Sequence, residues 1–131
     1  MCLPESCGGG GADLTTAAIV ANLLGTYVAP IPFIEHVVAA RLLASLDESN
    51  ANLPLLATGE MIGSLALQSL HDSTSAIVPA GAIANYIIGL RGEAIVVAEN
   101  TTGASALRNT ANLPIARHNF DDAIVIASGE E

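Results

Sequence analysis

Tryptophan and lysine are absent from the 131 residues, and two Tyr and two Phe supply all the aromatic rings. Stacking platforms for nucleobases are therefore missing, and a core has to be built from Leu, Ile, Val and Ala. All four cations are arginines, Arg41, Arg91, Arg108 and Arg117, set against 13 acids for a formal net charge of −9. Nucleic-acid backbones and anionic membrane surfaces both require clustered cations, so neither partner is expected. A polyanion such as coenzyme A or a flavin diphosphate stays compatible, because helix N-termini and backbone N–H groups also hold phosphate.

Long apolar runs are lacking too. None reaches the roughly 18 residues of a membrane span, and no basic segment precedes a short apolar one, so the expected location is cytoplasmic. Asn100-Thr101-Thr102 matches a glycosylation acceptor, but without a secretion signal the match reads as accidental. Cysteine is limited to Cys2 and Cys7. Their spacing allows a small disulfide loop, a metal half-site or neither, and no second Cys pair completes a structural metal site.

What is present is 51% hydrophobic with Gly 12 and Pro 6, a composition for one packed domain or two small lobes. Gly8 to Gly11 form a flexible or tightly turned lead. They are not a phosphate loop, since no Lys-Ser/Thr follows them. Asp13 is placed to cap a helix beginning at Leu14, whose apolar residues recur at helical spacing over a face wide enough to predict burial on more than one side. Gly25, Pro30 and Pro32 end it, and a second helix is predicted over Phe33–Leu46. Residues 47–52 read as a loop and 53–57 as a short helical turn. After Gly59 the period shortens, predicting strands at 61–67, 75–78, 85–90, 93–97, 115–120 and 123–127, with a tight hairpin connection at Arg91-Gly92. Helices first and strands later indicate an α+β chain, a helical segment over 1–58 followed by a β-rich region over 59–131.

Several strings carry a family resemblance. Leu3-Pro4-Glu5-Ser6-Cys7-Gly8-Gly9, the run from Ala21 through Leu24-Gly25 to Pro30-Ile31-Pro32-Phe33, the turn Thr58-Gly59-Glu60 entering Met61-Ile62-Gly63, the stretch Val78-Pro79 to Ile88-Gly89, and Leu113-Pro114 to Asp121-Asp122 follow in order along the chain. Together they resemble the N-terminal helices and middle β domain of acyl-CoA dehydrogenases, nearest to the bacterial branch that handles bulky acyl-CoA thioesters, sterol side chains included. The resemblance implies a small antiparallel, barrel-like β domain. It also implies FAD-dependent α,β-dehydrogenation of an acyl-CoA, with a carboxylate as base and the flavin accepting the hydride.

The departures from that pattern are specific. Where the family carries a Thr-Glu-Pro-x-x-Gly-Ser-Asp loop against flavin and thioester, this chain has Gln68-Ser69-Leu70-His71-Asp72-Ser73-Thr74-Ser75. A hairpin before Val78 and the four-helix domain bearing the catalytic base have no counterpart. The resemblance therefore implies no catalytic residue here, a remnant flavin-edge role for Gln68, Ser69 and Ser75, and FAD binding only in a complete assembly. It further implies an exposed apolar face, covered by a second copy or by a partner chain that supplies the missing helices. The alternative is a non-catalytic dimerisation or partner-binding module.

Other chemistry is thinly represented. Glu60 matches a turn acid and not the base. His71 and Asp72 stand among Ser69, Ser73, Thr74 and Ser75, but no nucleophile-elbow pattern surrounds any Ser, and a solvated loop is the expectation. His36, His71 and His118 lack metal-ligand spacing. Arg108 and Arg117 are the cations placed to meet a phosphate, and exposed pairing with nearby acids is the plainer expectation.

Overall fold

The computed structural model describes residues 2–70, 74–101 and 103–129. His71, Asp72 and Ser73, part of the predicted polar loop, lie outside the described residues, as does Thr102. The chain divides into two compact units, Met1–Met61 and Ile62–Glu131.

In the first unit the glycine-rich lead is a tight turn. The backbone forms a 3-10 turn at Glu5–Cys7, after which Gly8 (φ 78°), Gly9 and Gly11 fold back by hydrogen bonds to the carbonyls of Glu5, Pro4 and Leu3. A Cβ on Gly9 would stand 2.2 Å from the Leu3 carbonyl oxygen, so only glycine fits there. Cys2 and Cys7 are buried free thiols, and the Arg41 guanidinium donates to the Cys2 carbonyl at 2.9 Å.

Helix α1 spans Leu14–Thr26 and starts as its sequence predicts: Asp13 Oδ1 accepts from the Thr16 N–H and hydroxyl, both at 2.8 Å. It ends in a Schellman turn, with Ala29 N–H bonded to Leu24 O and Val28 N–H to Gly25 O. Helix α2, Phe33–Leu46, buries His36, Val37, Ala39, Ala40, Leu43 and Ala44. Helix α3, Leu53–Thr58, seats Leu53 and Leu56 in the interior and stops at Gly59 (φ 81°). The expected burial of α1 on several sides is not met, because within this chain Ala17 is its one buried residue.

Among its described residues the second unit holds six strands: β1 Gly63–Leu65, β2 Ser75–Val78, β3 Tyr86–Arg91, β4 Ala94–Glu99, β5 Ala116–Asn119 and β6 Ile124–Ser128. Four form one sheet in the order β1-β3-β4-β6, while β2 and β5 pair antiparallel with Ser75 opposite Asn119 and Val78 opposite Ala116. The α+β order thus stands, but the larger sheet is mixed and not the antiparallel barrel expected, since β1 runs parallel to β3. A parallel pair needs a crossover of a dozen or more residues, and residues 66–85 provide one. β3 and β4 form the predicted hairpin, with Gly92 at φ 60° in its turn. β6 lies at the outer edge, exposes Ile124 and Val125, and meets β4 across a bulge at Ile95/Val96.

The core gathers Leu70, Ala76, Val78, Ala84, Ile87, Val96 and Phe120. Phe120 is held over the sheet by its own backbone. Its N–H donates to Thr74 O at 2.6 Å, and its carbonyl accepts from the Arg91 guanidinium. Gly89 on β3 leaves room for the ring, since a Cβ there would lie 3.0 Å from Phe120 Cε1 and 3.1 Å from Leu70 Cδ1. Buried polar groups are answered locally: Ser64 donates to Pro79 O, and His118 Nε2 donates to Gly81 O at 2.6 Å.

Candidate functional site: an uncharged helical surface

Residues 14–34 contain no charged side chain, although 17 charged residues are spread through the rest of the chain. Two apolar features result. On the side of α1 that faces α2, Leu14, Ala17, Ala18 and Ala21 line a groove completed by Phe33, Ile34, Val37 and Val38, with a cavity of about 160 Å³. Its width follows from the alanines, which leave space where larger side chains would close on α2. Roughly half a turn around α1 from that groove, Ile19, Leu23 and Tyr27 recur every four residues and form an exposed stripe.

Past the end of the helix Val28 and Ile31 are exposed as well. Val28 has φ 51° at the C′ position of the Schellman turn, where glycine is the usual residue. A left-handed conformation costs an L-residue about 1–2 kcal/mol, and a β-branched one is a clear outlier. Its side chain, 84% exposed, recovers none of that by packing within the chain.

The residues expected to carry remnant flavin contacts do not assemble comparably. Gln68 and Ser69 are exposed beyond β1, separated by buried Leu70 from the undescribed segment, and Ser75 opens β2. Ser75 Oγ accepts from Arg117 Nη1 at 3.5 Å. Glu60 is an exposed turn acid whose Oε1 accepts from Thr58 Oγ1 at 3.4 Å. Of the arginines, Arg41 and Arg91 are engaged with backbone carbonyls, while Arg108 is exposed.

His36 and His118 each bond a backbone carbonyl in the interior. His36 Nε2 lies 3.0 Å from the Leu56 carbonyl and donates to it, joining α2 to α3. Burial pushes the His36 pKa below its ordinary value, and that hydrogen bond partly opposes the shift. Asn100, the acceptor of the glycosylation-like motif, uses its side-chain amide on Ala84 O at 2.9 Å and Gly81 O at 3.5 Å. Among the described residues no group of three or more His, Cys, Asp or Glu is placed to hold a metal ion, and no helix is long and apolar enough to cross a membrane.

Sequence reasoning named no residue of the groove or stripe as a site. The signal that marks them is the charge gap over 14–34, which periodicity alone reads as ordinary core. No family model, curated protein sequence or solved structure matches the chain.

Proposed function

We propose that the chain acts by association, as a non-catalytic module whose exposed α1 stripe docks against an apolar surface of another polypeptide. The observation that supports this reading is the exposed stripe on an uncharged helix. An uncharged helix with exposed apolar side chains gains stability when these are covered, and α1 buries only Ala17 within its own chain. Site-specific photocrosslinking in the producing cell tests it. A photoreactive residue at Ile19 or Leu23 is expected to capture a polypeptide at a defined helical segment, and Arg108 serves as an exposed control. Equal labelling at all three positions, or none at Ile19 and Leu23, would overturn the reading.

A second reading follows from the acyl-CoA dehydrogenase resemblance. In it the chain is one lobe of an FAD-dependent assembly, inactive alone, with helices from a partner covering α1 and α2 and completing a site for flavin and acyl-CoA. The favouring observation is the chain order: a helical unit with an uncovered apolar surface precedes a β unit. Co-expression with a dehydrogenase-like chain is then expected to give a complex whose flavin absorbance bleaches on adding acyl-CoA. A complex without flavin excludes this reading and leaves the first intact.

A further inference from the structure

Resting on the association reading, we infer that the occupant of the stripe is a second copy of this chain, packed as an antiparallel α1–α1 pair about a two-fold axis near Leu23. Three observations converge on it.

The first is charge. A chain of net charge −9 repels its copies almost everywhere, but the stripe lies in a segment without a charged residue. It meets no like charge when it faces itself. The second is area. Ile19, Leu23, Tyr27, Val28 and Ile31 are 58%, 51%, 78%, 84% and 55% exposed. Covered completely, they would contribute about 600 Å² per copy, so a pair reaches the ~1,200 Å² lower bound for a specific interface when all five residues are buried in it. The third is Val28, where a strained, exposed apolar side chain persists at a position that suits glycine.

An isologous contact requires residue i to meet j and j to meet i. With the axis at Leu23, the four-residue spacing places Ile19 of one copy opposite Tyr27 of the other and the two Leu23 side chains against each other. Val28 and Ile31, just past the helix end, flank the contact at both ends of the pair. Groove and stripe lie on different sides of α1, so this pairing leaves the groove free.

Sedimentation velocity on the full chain across a hundredfold concentration range tests the proposal, with Leu23→Glu and Val28→Gly as variants. The chain is expected to dimerise, and L23E to stay monomeric with unchanged far-ultraviolet circular dichroism. V28G separates a folding role from a docking role, because glycine relieves the strain while removing the contact. It is expected to raise the melting temperature of the monomer and to weaken the dimer about tenfold or more. A Leu23→Cys variant should form a disulfide-linked dimer on mild oxidation, and Arg108→Cys should not. A monomer at every concentration, or a dimer unaffected by both L23E and V28G, overturns the inference. If the chain is monomeric while Ile19 and Leu23 crosslink to a different polypeptide in the cell, the association reading survives and the second copy is excluded.

Discussion

Adding one methyl group at two glycines should move stability in opposite directions. At Gly89 the new Cβ would sit 3.0 Å from Phe120 Cε1 and 3.1 Å from Leu70 Cδ1, well inside the 3.5–4.0 Å at which carbon atoms attract. Neither neighbour can swing away freely, because Phe120 is fully buried and its backbone is bonded to Thr74 and to the Arg91 guanidinium. Overpacking of this kind costs about 1–3 kcal/mol. Gly89 is not at a positive φ, so alanine returns about 0.4–1 kcal/mol by restricting the unfolded chain. The net expectation for Gly89→Ala is a loss of about 1–2 kcal/mol.

At Gly25, in the last turn of α1, a Cβ meets nothing within 4 Å. Alanine there should stabilise the helix by about 0.5–1 kcal/mol. Urea unfolding followed by amide chemical shifts reads the two units separately, and Tyr86, buried in the β unit, and Tyr27, exposed in the helical unit, give one aromatic reporter for each. Gly89→Ala equal to or more stable than the parent would refute the seating of Phe120 over β3.

The remaining expectations concern His36, Phe120 and Asn100. The pKa of His36 is depressed in the folded helical unit, so the unfolded chain binds its proton more readily; stability is complete above about pH 6.5 and falls as pH drops below it. In His36→Gln, which can still donate to Leu56 O, urea midpoints should lose that part of the pH dependence; an unchanged slope between about pH 5 and 7 would exclude the effect. Phe120→Ala should cost about 3–5 kcal/mol in denaturant titration, since the ring is fully buried at the centre of the core. Asn100→Ala removes a donor from the Ala84 and Gly81 carbonyls and should cost about 1–2 kcal/mol, with faster hydrogen exchange expected around residues 81–86.

Local structure was legible wherever a local cause set it. Asp13 before an apolar run announces α1, Pro30 and Pro32 bracket the link, and α2 occupies Phe33–Leu46 as its spacing predicts. Gly92 marks the hairpin because its turn needs a positive φ. Strand partners are a different matter. The parallel pairing of β1 with β3 joins residues more than twenty apart, and nothing in the short β1 sequence carries that direction. For a related reason the apolar spacing of α1 predicts a burial that its own chain does not supply. An apolar period shows that a face avoids water, but it does not say whether the cover belongs to the same chain. The flavin-edge expectation at Gln68, Ser69 and Ser75 rests on string likeness, which no local period or turn signal carries.

The outer strand β6 carries a consequence of its own. Its unpaired edge, with Ile124 and Val125 in water, is a template on which another extended chain could grow. Exposed Asp121 and Asp122 immediately precede it, and the Ile95/Val96 bulge twists the ladder behind it. Two carboxylates thus guard this edge, and replacing both, Asp121→Asn with Asp122→Asn, should open it to cross-β growth.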